Sequence, residues 1–103
     1  MPETVKVDHT TTGLGEGKKT ISTAGSPETL AGSVACKWIT IEAYASNTAV
    51  VAIGGSSSLD ASAAGNGITL EAKESYTVIC DNLQDVYIDV LTDGEGVRYI
   101  YGK

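Results

Sequence analysis

The chain has 103 residues, 13 acidic against 7 basic side chains, a net charge of −6, 12 glycines and no phenylalanine. That length holds one domain with a single core, which must rest on Val, Ile, Ala and Leu with Trp38 and some tyrosine rings. The acidic balance, with Lys18-Lys19 the one adjacent basic pair, argues against nucleic acid as a partner, and no apolar run approaches the ~18 residues of a membrane span.

Met1–Gly17 carries only Val5, Val7 and Leu14 as sizeable aliphatics after Met1, among threonines and glycines. Alone it cannot bury enough apolar surface to offset the entropy of ordering. The expectation is a flexible arm over 1–17, with Val5 and Val7 around Lys6 available for a short edge strand, and a sandwich domain over 18–103. Met1-Pro2-Glu3-Thr4 lacks the basic start and apolar run of a secretory leader. Synthesis in a reducing cytoplasm is therefore expected, with Cys36 and Cys80 as free thiols.

Lys18–Thr23 reads as a weak first strand around Ile21, and Ala24–Ser33 as a loop ahead of Leu30. Cys36–Ala45 is the strongest segment, with Ile39, Ile41 and Ala43 on one face and Trp38, Thr40 and Glu42 on the other. A period of two marks a half-buried strand. Ala49–Gly54 is almost continuously apolar, as a strand covered on both faces would be. Ser46-Asn47 before it suits a tight hairpin to the preceding strand.

Leu59–Ala64 is ambiguous between strand, helical turn and loop. Gly67–Glu71, Tyr76–Cys80, Val86–Leu91 and Val97–Tyr101 each alternate, and Asp93-Gly94 supplies the turn of a final hairpin. Short strands cut by Gly, Asn and Asp at this spacing predict an all-β fold. The expected architecture is a single antiparallel β-sandwich, jelly-roll-like or Ig-like, of about seven or eight strands. Ile39, Ile41, Val51, Ile53, Leu70, Val78, Val86, Ile88 and Val90 are its candidate core.

Catalytic chemistry is sparse. A phosphate loop fails twice at Gly17-Lys18, because Thr12 holds the first glycine position and Lys19 the hydroxyl position. His9, the only histidine, lies in the arm, away from any rigid partner for a nucleophile. With Cys36 and Cys80 it makes three zinc ligands at most, without paired spacing. Asp81, Asp85, Asp89 and Asp93 recur every four residues but lack the Asp-x-Asp clustering of a calcium loop. Asp81 and Asp93 read as turn residues, and Asp89 as lying on a solvated face. No enzymatic activity and no cofactor or metal are expected. The rival, a carboxylate-pair hydrolase, would have to draw on Asp81, Asp85 or Asp89. The rings Trp38, Tyr44, Tyr87, Tyr99 and Tyr101 cannot all be core. They could anchor a subunit interface, stack on carbohydrate such as host-surface glycan, or cover the sandwich ends and one sheet face.

Several phrases, taken in order, carry a resemblance. They are Ala24-Gly25-Ser26 with Leu30, Cys36-Lys37-Trp38-Ile39-Thr40-Ile41-Glu42-Ala43, Asn47-Thr48 before Val51, and Ile53-Gly54-Gly55. Gly67-Ile68 with Leu70, Glu74-Ser75, Asp81-Asn82-Leu83 and Val86-Tyr87-Ile88-Asp89 follow, closing on Gly94-Glu95-Gly96-Val97 with Tyr99 and Tyr101. Over residues 20–103 the chain resembles small β-rich virion structural proteins of tailed bacteriophages, of head-decoration or head-fibre type. Ala72-Lys73 departs from the Pro-Gly that often precedes the Glu-Ser pair in such sequences. The resemblance implies a non-enzymatic component of a phage particle, located in the virion. It also implies a homo-oligomer, with a trimer among the states it suggests, and attachment to a major capsid or other virion protein. The candidate interface is then Val5, Val7, Leu14, Trp38, Tyr44, Tyr87, Tyr99 and Tyr101.

Overall fold

The computed structural model describes residues 12–103, which form eight strands and one short 3-10 turn. The strands are β1 (Leu14–Thr20), β2 (Glu28–Thr29), β3 (Trp38–Ala43), β4 (Val51–Gly54), β5 (Ile68–Leu70), β6 (Ser75–Val78), β7 (Tyr87–Val90) and β8 (Gly96–Gly102). The turn, Leu83–Asp85, is capped by Asn82, whose side chain accepts from the Gln84 N–H. The expected all-β sandwich is what forms. Each predicted segment from residue 36 onward has its strand: β3, β4, β5 and β7 are trimmed by two to four residues, β6 starts one residue earlier and ends two earlier, and β8 runs one residue further at each end.

Two four-stranded sheets have the orders β1-β8-β3-β6 and β2-β7-β4-β5. The antiparallel pairs β1–β8, β2–β7, β3–β6 and β4–β5 make one long hairpin, with its apex between β4 and β5. Rolled so that β3 meets β8 and β4 meets β7, it is an eight-stranded jelly roll. Every connection except β4–β5 therefore crosses from one sheet to the other. This corrects two expected hairpins. β3 and β4 flank Ser46-Asn47 but lie in opposite sheets, as do β7 and β8 on either side of Asp93-Gly94. Gly94 does adopt the left-handed φ of 85° that such a turn needs. The same residue types serve a crossover and a hairpin, so the turn chemistry was legible and the pairing was not.

The boundary at residue 18 is corrected too. Leu14–Gly17 belongs to β1, paired with β8 from Leu14↔Gly102 to Thr20↔Gly96. The segment's shortage of aliphatics is made up by its partner. Tyr101 lies over Gly15 and Tyr99 over Gly17, so close that a Cβ at Gly15 would stand 2.4 Å from the Tyr101 ring. Glycine in this strand makes room for two rings, an arrangement that recovers the contact a glycine strand otherwise lacks. Residues 1–11, with Val5, Val7 and His9, lie outside the described residues.

The core is aliphatic. Ile39, Ile41, Val51, Ile53, Leu70, Val86, Ile88 and Val90 are buried as expected, and Val78 is half-buried beside them. Ile21, Leu30, Leu83 and Val97 complete it. Each buried aliphatic contributes about 1.5–3 kcal/mol relative to exposure. β4 is covered on both faces, as its unbroken apolar run predicts. Val51 and Ile53 face the core, while Ala52 packs under Leu59 and Ala61 in a second cluster. The 59–64 stretch is thus a loop that lids the outer face of the second sheet, with Tyr87 packed against it.

Candidate interaction surfaces

The outer face of the first sheet follows from register. Core-facing Ile39, Ile41 and Ala43 leave Trp38, Thr40 and Glu42 pointing outward from β3. Pairing carries Leu14, Gly102 and Trp38 into one row, then Glu16, Ile100, Thr40 and Thr77, then Lys18, Arg98, Glu42 and Ser75. Leu14 is 58% exposed and Ile100 41%. Beside them Arg98 Nε donates to Glu42 Oε1 at 2.7 Å, an exposed pair worth little in stability but able to set register with a partner. A shallow depression of about 340 Å³ opens on this face among Glu16, Thr40, Glu42, Arg98 and Ile100. Among the described residues no loop covers this face, which combines apolar and charged side chains on four strands.

The aromatic candidates do not share it. Of them, Trp38 alone stands on this outer face, with Leu14 in its row. Tyr44 lies where β3 ends, its hydroxyl 3.0 Å from Thr20 Oγ1. Tyr87 is on the other sheet, under the loop. Tyr99 and Tyr101 face inward, their ring centroids 6.1 Å apart. Burial, then the neighbouring Tyr101, pushes the Tyr99 hydroxyl above its ordinary pKa.

The four aspartates also part company. Asp89, expected on a solvated face, is only 2% exposed. The 55–67 loop covers it, and its carboxylate accepts from Gly25 N–H at 3.1 Å and Ala61 N–H at 2.9 Å. It pins two loops across the outer face of the second sheet. Asp93 accepts from Ala24 N–H at 2.7 Å. Asp81 and Asp85 are close neighbours, and a hydrogen bond from the Asp81 carboxyl holds the Asp85 pKa above the ordinary range. Both are exposed. Among the described residues no three His, Cys, Asp or Glu side chains converge as metal ligands.

Sequence reasoning missed Glu95, which is 8% exposed. Its Oε2 accepts from Thr48 N–H at 2.6 Å and Thr48 Oγ1 at 2.8 Å, and its Oε1 from Ala49 N–H at 3.2 Å. Burial pushes this carboxyl up, but the three Thr48 and Ala49 donors outweigh it and hold the pKa below the ordinary value. Next to it, Asn47 exchanges two hydrogen bonds with the backbone of Gly96, at 2.9 and 3.2 Å. Together they clasp the β3–β4 crossover to the β7–β8 crossover. A Glu before a glycine in a loop gives no local sign of partners 47 residues back.

Cys36 and Cys80 are free thiols with sulfurs 3.9 Å apart. Burial, then the Cys80 neighbour, pushes the Cys36 thiol up to about 12. Comparison with family models, curated proteins and solved structures finds no match to this chain.

Proposed function

We propose that this protein is a non-enzymatic structural subunit of a bacteriophage particle, a head-decoration or head-fibre protein that self-associates and attaches to the shell. The observation that carries the reading is the outer face of the first sheet. There Leu14 and Ile100 stand exposed with Trp38 half-buried in the row of Leu14, framed by Glu16, Lys18, Glu42 and Arg98. Interface cores are apolar and aromatic with a charged rim, and this face has that composition. The sequence resemblance to small phage virion proteins supplies the particle. Stacking on host-surface glycan is less well supported, since Tyr99 and Tyr101, two of the rings it would use, are turned toward the core.

Sedimentation of the purified protein, with particles from the corresponding phage probed for it, tests the reading. Self-association weakened by Ile100→Glu with Trp38→Ala, and recovery of the protein on heads, are the expected results. A protein that stays monomeric at high concentration, encoded away from any capsid or portal gene, refutes the proposal.

A further inference from the structure

The sandwich is open along one side. Ile68 pairs with Ile53, and Tyr76 with Ile41. Since Ile53 and Ile41 face the core, Ile68 and Tyr76 face inward too. Yet Ile68 is 46% and Tyr76 45% exposed. Both strands are terminal in their sheets, β5 in one and β6 in the other. Between these edges, unpaired among the described residues, runs a gap of about 260 Å³, lined by Ile53, Ile68, Tyr76, Val78 and Val86 together with Asp85. Inward-facing apolar side chains beside unpaired strand edges are the two halves of a strand-addition site. The edge offers backbone hydrogen bonds, and the gap takes every second side chain.

We propose that the gap between β5 and β6 receives Glu3–Asp8 of a second copy of this chain, added as an extended strand with Val5 and Val7 buried against Ile68 and Tyr76. Val5 and Val7 are two residues apart with Lys6 between them, the spacing that puts both on one face of a strand and the lysine in water. They are β-branched, as a pleated half-buried position favours. Reach selects the donor. Thr12 N–H bonds the Lys103 carbonyl, so the chain enters the fold at the β1–β8 side. β1 and β6 are three strand spacings apart, about 14 Å. Five residues from Val7 to Thr12 span at most ~18 Å, which leaves no slack to round β6 and run beside it within the same copy. A neighbouring copy has no such restriction. The proposal rests on the self-association part of the function above and not on the particle.

The test uses the full chain with a benzophenone side chain at position 7, mixed with an isotopically heavy copy. Irradiation is expected to link position 7 to Ile68, Tyr76 or Val78 of the other copy. In Val5→Asp with Val7→Asp, checked for an unchanged fold by circular dichroism, amide exchange in β5 and β6 should speed at least tenfold. Cross-links within one copy, cross-links to Trp38 or Ile100, or unchanged exchange overturn the strand-addition proposal. If the double variant still sediments as the same oligomer, self-association stands and this route to it falls. A monomeric wild type overturns both.

Discussion

Glu95→Gln is the most informative single substitution in this fold, because one carboxylate holds two crossovers together. The amide keeps one acceptor oxygen, which can still serve Thr48 at the 2.6 and 2.8 Å contacts. Its nitrogen then faces the Ala49 N–H, donor against donor, at what was a 3.2 Å bond. Leaving that N–H unsatisfied costs about 1–3 kcal/mol, and turning the Thr48 bonds from charged to neutral roughly halves them. Relief from burying a charge, and water close to this rim, offset part of the loss. The net expectation is about 2 kcal/mol, which lowers Tm by roughly 8–16 °C for a domain of this size.

The pH dependence has a definite sign. The folded pKa of Glu95 lies below its ordinary 4.5. The carboxylate therefore contributes its full stability above about pH 4.5 and loses it as pH falls through the folded value. Urea titrations of wild type and variant at several pH values should show a gap at pH 7 that closes in acid. A gap below about 0.5 kcal/mol at pH 7, or one that stays constant down to pH 3, would refute the clasp.

Asp89→Asn should free one of the two loops it holds, costing about 1–3 kcal/mol. Limited proteolysis should then cut within 55–67 faster, whereas wild-type cleavage rates would mean that the Leu59 and Ala61 packing alone seats the loop. Gly96→Ala places a Cβ 2.0 Å from the Lys19 carbonyl oxygen and must spread β1 from β8. Destabilisation of about 1–3 kcal/mol or more is expected by thermal melting. Oxidised glutathione should convert Cys36 and Cys80 to an intramolecular disulfide, closing a loop of about 45 residues and adding up to ~4 kcal/mol of stability. Two thiols that still titrate afterwards in the native protein would count against their adjacency.

The strands were legible because alternation is a local property, and Ile39-Thr40-Ile41 shows it within three residues. Pairing was not legible, because Ser46-Asn47 and Asp93-Gly94 turn the chain equally well within a sheet or between sheets. Leu14–Gly17 looked too poor in apolar residues to fold, since the rings that cover its glycines arrive with β8. Asp89 looked solvated for the corresponding reason: an outward position on a strand says nothing about a loop laid over it. On the surface, alternation along β3 was enough to turn Trp38 away from the core, whereas the place of Leu14 in β1 depends on pairing with β8. The inward turn of Tyr99 and Tyr101 depends on a register that Val97 anchors. The gap at Ile68 and Tyr76 exists only because β5 and β6 are sheet ends.

The β1–β8–β3 order has a consequence for how the chain is made. β8 is a central strand of the first sheet, yet it is the last of the eight strands to leave the ribosome. Until then β1 has no partner, and β3 keeps one edge bare beside β6. At about 5–20 residues per second of synthesis, the nascent chain spends seconds with these edges open to other strands. Folding finishes by insertion: β8 enters between two strands already present, and the two ends of the described chain lock together in one step. Distant pairings of this kind fold in milliseconds to seconds. Crowded synthesis of many copies would then set that closing step against pairing between unfinished chains.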